Sequence, residues 1–199
     1  MLNLNRDEPE CFKSFKMKNK PHRYAEDCDD GGLRDCLRQA LLEEQRSQCY
    51  YCEQKIVNSS KKVHIDHIKQ RTHYHKLECE YSNMALSCNS QNHCGMHKDK
   101  KGEWNDDKFI RIFSENHELR EKPSEMFNFI SNGEIEVKKS LSEDKKVRAK
   151  NSIKYLNLNH SDLIATRRNI FLHLETYKED RQDIDNIFNF FNGFESIFK

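Results

Sequence analysis

Two cysteine pairs, Cys49-Tyr-Tyr-Cys52 and Cys88-Asn-Ser-Gln-Asn-His-Cys94, constrain this chain more than any other feature. The two-residue spacing of the first pair lets a tight turn aim both thiolates at one ion. The five-residue spacing of the second requires a wider turn. Tetrahedral zinc closes such a set at about 2.3 Å per sulfur, and structural zinc is the expected cofactor. The ligand set is Cys49, Cys52, Cys88 and Cys94, with His93 or His97 able to replace one of the second pair. Zinc binding contributes on the order of 10 kcal/mol to folding in zinc-finger peptides. A staple of that size matters here: of 199 residues only 35% are hydrophobic and 34% are charged, a lean core for the length. The chain has no apolar run long enough to cross a bilayer and no apolar segment at its N-terminus. A cytoplasmic location without membrane attachment is expected, where cysteines are thiols or metal ligands rather than disulfides. Cys11, Cys28, Cys36 and Cys79 have no matching spacing and are expected to be free thiols.

Six of the ten histidines lie between residues 64 and 97, mostly inside the loop that the zinc would close. Val63-His-Ile-Asp-His-Ile68 alternates as a short half-buried strand. Asp66 and His67 are adjacent, so a regular strand would turn them to opposite faces, and a bend or bulge is expected to bring both to one site. A polar loop follows over 69–76. Tyr81-Ser-Asn-Met-Ala-Leu-Ser-Cys88 reads as a turn and second strand, and Gly95-Met-His-Lys98 as the opening of a helix. Taken singly these residues are ordinary: His67 or His97 a structural histidine, His73 and His75 surface residues, Asp66 a strand-end cap, Asn83 a turn former. Taken together, in this order between cysteine pairs, they suggest a site.

The combination of Asp66-His67, Asn83 and His97-Lys98 between two cysteine pairs resembles the ββα-metal active site of HNH (His-Me finger) endonucleases. The longer string, Cys49-Tyr-Tyr-Cys-Glu53, His64-Ile-Asp-His67, Asn83-Met-Ala-Leu-Ser-Cys88 and Cys94-Gly-Met-His-Lys98, resembles the PtuB-type HNH nuclease subunits of Septu antiphage defence systems and of retron-linked cassettes. The resemblance is strong over residues 33–101. It is weaker in Leu156-Asn-Leu-Asn159, Leu163 and Arg167-Arg168. It implies an α+β fold whose zinc-stapled ββα-metal core is flanked by helices and a β-hairpin, and a metal-dependent endonuclease acting on DNA or tRNA.

Phosphodiester hydrolysis needs a deprotonated water, charge stabilisation on the phosphate and help for the leaving oxygen. The resemblance makes His67 the general base, a task suited to a histidine of near-neutral pKa. It makes Asn83 the residue that orients the base and braces its loop, and Asp66 and His97 the ligands of a catalytic Mg²⁺ or Mn²⁺. An imidazole at position 97 also makes Mn²⁺, Zn²⁺ or Ni²⁺ competitive with Mg²⁺. Lys98 could contact phosphate or be solvated. His64 could support a ligand, serve as an auxiliary ligand, or touch substrate at the rim.

Thirty-four Lys and Arg against 33 Asp and Glu give a net charge of +1, which does not describe a free-standing nucleic-acid coat. The chain has no Gly-rich phosphate loop of its own, and the resemblance implies a separate ABC/SMC-like ATPase as partner. Residues 1–32 form an N-terminal extension available for partner contact, 33–140 the nuclease core, and 141–199 a helical region. Leu33, Leu37 and Leu41 predict a helix over 33–46. Residues 124–137 predict a hairpin turning at Asn132-Gly133, followed by a polar linker over 138–146. Ser161 caps a helix bearing Leu163, Ile164, Ile170, Phe171, Leu174 and Tyr177. A final aromatic stripe, Ile184 to Phe198, is core or a docking helix. The competing reading of the whole is a zinc-stabilised nucleic-acid-binding or adaptor module without catalysis. Such a module has no need of Asp66, His67, Asn83 and His97 together.

Overall fold

The computed structural model describes residues 7–28, 31–105, 107–111 and 121–176. Within them the chain runs α1 (Glu10–Asn19), α2 (Tyr24–Asp27), α3 (Gly31–Glu44), β1 (Val63–His67), β2 (Met84–Cys88), α4 (Cys94–Asp99), α5 (Pro123–Met126), β3 (Phe127–Phe129), β4 (Ile135–Val137), α6 (Glu143–Tyr155) and α7 (Ser161–Thr176). The fold is α+β with two separate two-stranded antiparallel sheets, β1–β2 and β3–β4.

Helix α3 buries Leu33, Leu37 and Leu41, the i, i+4, i+8 stripe its sequence predicts, and packs on β2. Just past its end, Gln45 takes the place of a third strand. Its Nε2 donates to the carbonyls of Gln48 (2.7 Å) and Leu86 (2.8 Å), and its Oε1 accepts from the Leu86 N–H (2.7 Å). Both outward-facing backbone groups of Leu86 are thereby satisfied without another strand.

Two expectations fail in this half. Cys11 and Cys36 are not free thiols: a disulfide joins them and ties α1 to α3. Local spacing carries no sign of such a pair, because the two cysteines are 25 residues apart on different helices. Cys28 and Cys79 remain thiols, their sulfurs 3.9 Å apart. The bulge expected at the end of β1 is also missing. The ladder pairs Val63 with Cys88 and continues without interruption to His67 opposite Met84.

The second hairpin is shorter than predicted, because Pro123 opens a helical turn that carries Met126 and leaves Phe127–Phe129 as the first strand. The turn is the expected one. Gly133 has φ of 93°, and a Cβ there would lie 2.2 Å from the Ile164 carbonyl of α7. Helix α6 begins at Glu143, inside the stretch predicted as linker, and Leu141 already packs against the core. Helix α7 starts at Ser161 and buries Leu163, Arg167 and Phe171. Tyr177 and the aromatic stripe of 184–198 lie outside the described residues, as does the Leu174 side chain. Among the described residues no helix is long and apolar enough to cross a membrane.

Candidate functional site

The Cys49–Cys52 turn is built by a bridge between Gln48 and Lys55, with Glu53 in the left-handed region at φ 62°. The Glu53 N–H returns to the Cys49 carbonyl and the Cys49 N–H to the Gln54 carbonyl, both at 2.9 Å. Cys88 ends β2 and Cys94 opens α4. The four sulfurs lie within 4.8 Å of one another, close to the edge of about 3.8 Å of a tetrahedron with 2.3 Å zinc–sulfur bonds. Among the described residues this is the one such gathering of three or more Cys, His, Asp or Glu ligand atoms. His93 is not a member. Its Nδ1 stands 3.1 Å from Cys94 Sγ and 3.9 Å from Cys88 Sγ, where it can donate to a thiolate.

Hydrogen bonds, from Cys49 first and then Cys52 and Cys94, hold the Cys88 thiol far below its usual range. Burial pushes Cys52 and Cys94 well above it. Four thiols this close cannot all ionise without a cation among them. Arg167 supplies a second sign that charge belongs here. It is fully buried and its Nη1 has no hydrogen-bond partner, while Nε donates to Gly133 O and Nη2 to Leu158 O, each at 2.6 Å. Burial brings its pKa down to about 10, against the pull of Cys52 and Cys94 in the other direction. A guanidinium facing a zinc tetrathiolate meets a formal charge of −2, so the residues present fit zinc.

The segment Leu156–Asn159 locks this centre to the rest of the molecule. Leu156 O accepts from the Cys94 N–H (2.9 Å), and Asn157 Nδ2 donates to Asn92 O (2.7 Å). Asn159 pairs with both backbone groups of Ile135, at 2.8 and 3.0 Å. The weaker stretch of resemblance is thus a clamp between the cysteine centre and the second hairpin.

Helix α4 lies on one face of the β1–β2 ladder, the face carrying His64, Asp66, Ala85 and Ser87. Only glycine allows that approach. A Cβ on Gly95 would stand 2.8 Å from His64 Nε2 and 3.0 Å from both Asp66 Cγ and Ser87 Oγ. His64 Nδ1 pairs with Asn89 Oδ1 at 2.7 Å, which puts the proton on Nδ1 and the lone pair on the buried, unpartnered Nε2.

Asp66 is buried and doubly held. The Tyr51 hydroxyl, from between the first two cysteines, donates to Oδ2, and Lys98 Nζ lies 3.2 Å from Oδ1. Burial, then Asp66, raises the Tyr51 pKa well above its usual value and keeps that hydroxyl a donor. Lys98 is neither solvated nor at the surface to contact phosphate, the two alternatives its sequence position left open. It is 0% exposed, and its ammonium also reaches His67 O at 2.8 Å and Asp99 Oδ1 at 3.0 Å. Burial disfavours that charge, but Asp66 and Asp99 outweigh it and the pKa is raised.

His67 points away from Asp66, as an unbulged strand requires. Its ring packs edge-on against Tyr24 at 4.7 Å, and its Nε2 lies 2.9 Å from Glu78 O. A carbonyl only accepts, so Nε2 carries the proton and Nδ1 the lone pair. Burial pushes its pKa down to about 4. Glu78 in turn accepts from Tyr24 N (3.1 Å) and pairs with His75 (3.0 Å). Asn83, fully buried, ties the loop that presents these groups. It accepts from Lys69 N (2.8 Å) and donates to Lys69 O and Leu77 O (both 3.1 Å). His97 hydrogen-bonds through Nδ1 to Tyr155 O (2.9 Å), leaving Nε2 with the lone pair. His73 and His75 are exposed as expected.

No family model matches the chain, and neither does any curated protein. The assignment of chemistry therefore rests on the geometry and on the motif.

Sequence reasoning missed Tyr51, Tyr24 and Glu78. Tyr51 was visible as an aromatic inside the Cys-x-x-Cys turn, but nothing local says which carboxylate it meets. Tyr24 and Glu78 reach His67 from segments distant in sequence, and no spacing rule connects them.

Proposed function

We propose that this chain is a metal-dependent endonuclease of the HNH type, hydrolysing phosphodiester bonds as the effector subunit of an antiphage defence complex with a separate ATPase. The observation that carries the reading is the state of His67: neutral, protonated on Nε2 by its bond to the Glu78 carbonyl, with a lone pair on Nδ1 in a segment braced by Asn83. A general base needs a free ring lone pair at neutral pH, which this state keeps. The pKa of about 4 lies below the near-neutral value expected from the sequence and makes the imidazole a weaker base.

Asp66 and His97 would hold the catalytic Mg²⁺ or Mn²⁺. The His97 ring suits this role, since it gives its Nδ1–H to a backbone carbonyl and keeps Nε2 for a metal, the usual outer-sphere arrangement. Asp66 retains lone pairs beyond the Tyr51 and Lys98 contacts, because each carboxylate oxygen accepts more than one bond. Bound there, the cation would stabilise charge on the phosphate and the leaving 3′-oxygen. His67 takes the proton of the attacking water. Asn83 holds the loop that fixes the imidazole, and Tyr51 transmits the position of the cysteine centre to Asp66.

Two observations favour the second reading, a zinc-stabilised nucleic-acid-binding module: the Lys98 ammonium already neutralises Asp66, and without a bulge Asp66 and His67 leave the strand on opposite sides, each with its own partners. Cleavage of plasmid, single-stranded DNA and total tRNA, with Mg²⁺ or Mn²⁺ and with or without the ATPase, separates the two. Loss of cleavage by about 10²-fold or more in His67→Ala, with zinc content unchanged, is expected of the nuclease. Binding of nucleic acid without cleavage under every condition supports the module.

A further inference from the structure

Tyr24 brings more than a ring to His67. The guanidinium of Arg34, on α3, and that of Arg71, in the loop after β1, lie over the same Tyr24 ring, 5.9 and 5.8 Å from its centroid. Arg23 precedes Tyr24, with Nη1 3.9 Å from Glu78 Oε1. Arg38 follows Arg34 by one turn and pairs with Asp35. Residues 23, 34–38 and 71 therefore gather cations around the Tyr24 ring that packs on His67.

The carboxylates within this group are already engaged. Glu78 is buried and takes Tyr24 N, His75 and Arg23. Asp27 takes the backbone N–H groups of His22 and Arg23, and Asp35 takes Arg38. Arg71 stands apart from these pairings. It is exposed, and among the described residues it makes no hydrogen bond or ion pair; it lies over the Tyr24 ring, and the Glu78 carboxylate feels its charge without pairing with it. Its charge reaches His67, where it is one of the influences disfavouring the imidazolium. A guanidinium over an aromatic ring, with no carboxylate paired to it, keeps its donor fork free for an oxyanion, and that fork matches phosphate oxygens in pairs.

We propose that Arg71, backed by Arg34 on the Tyr24 platform, binds a backbone phosphate of the nucleic-acid substrate beside His67, so that the N-terminal segment forms one wall of the substrate site. The contact is made to phosphate and not to base edges, and it is independent of base sequence. The proposal rests on the nuclease reading, which supplies the ligand class.

The test is binding rather than cleavage. Full-length, zinc-loaded protein free of Mg²⁺ and Mn²⁺ is titrated with fluorescein-labelled single-stranded DNA of mixed sequence and with its RNA counterpart, over a series of salt concentrations. Arg71→Ala should weaken binding of both probes about 5- to 10-fold near physiological salt. It should also flatten the log K against log salt line by about 0.7, the contribution of one phosphate contact on a single strand. Arg71→Lys should restore the slope and part of the affinity, which a merely structural role for Arg71 would not produce. A wild type that binds the probes while Arg71→Ala keeps the same affinity and slope overturns this proposal and leaves the nuclease reading standing. A wild type that binds neither probe, alone or together with the ATPase, overturns both. Displacement by poly-glutamate as effective as by unlabelled oligonucleotide identifies an acidic protein partner instead and overturns the phosphate assignment.

Discussion

The cysteine centre and the end of β1 lie within one hydrogen bond of each other, through Tyr51, yet they are organised in opposite ways. At the centre, four side chains from two turns converge on one point, and a buried arginine feels the charge of two of them. At the strand end, Asp66 and His67 diverge to opposite faces of the ladder, and each is held by partners of its own. A structural metal site is closed by its own ligands and tolerates nothing else inside. A site for chemistry must keep a lone pair and a face for substrate, and the partners that prevent its collapse come from outside the motif. That contrast can be tested from its strongest element downward.

Replacing Cys88 with Ser should have the largest effect. With one ligand gone, a contribution on the order of 10 kcal/mol is at stake. Zinc stoichiometry should fall and the cooperative thermal transition should disappear by circular dichroism. Retention of a sharp transition without zinc would show that the core stands without its staple.

Asp66→Ala comes next. It leaves the Lys98 ammonium buried with Asp99 as its only carboxylate, and breaking a buried pair in this way costs about 3–5 kcal/mol. The double variant Asp66→Ala, Lys98→Met should recover much of that loss in a denaturant titration while remaining inactive. Recovery separates the structural role of Asp66 from its role as a proposed ligand.

Gly95→Ala should cost about 1–3 kcal/mol, the usual range for overpacking. Its Cβ meets His64 and Asp66 side chains and cannot be accommodated without lifting α4 from the hairpin. Zinc content should hold, so an unchanged melting temperature would contradict the close approach.

The narrowest effect, confined to the acid range, concerns His67. Its folded pKa of about 4 lies below the ordinary 6.5, so the unfolded chain takes up the proton first as pH falls. The stability present above pH 6.5 is therefore lost progressively as pH falls through about 4, by at most ~3 kcal/mol for this group. His67→Asn should lack that part of the pH slope. The difference between the two proteins, not the acid sensitivity they share through zinc, is the quantity to measure.

Legibility in the sequence followed the range of the interaction. The cysteine pairs, the α3 stripe, the Asn132-Gly133 turn and the start of α7 at Ser161 are local patterns and could be read. The candidate residues could be named from their order, but their surroundings could not. Lys98 sits in a Lys-Asp-Lys-Lys run that looks solvated, and only the packing of α4 on β1 reveals it as the partner of Asp66. The Cys11–Cys36 disulfide was hidden because its spacing belongs to a helix pair, not to a turn. The missing bulge had the same cause: whether a strand stays in register depends on the strand opposite it.

The chain alone thus determined where four sulfurs could meet, since the two turns that bring each pair together are written in a few consecutive residues. The tertiary structure decided which way Asp66 and His67 face, what neutralises the one and what holds the proton on the other. Those outcomes depend on Tyr51, Lys98, Tyr24 and Glu78 arriving from four separate segments, and the free energy that settles them is burial shared across the whole fold.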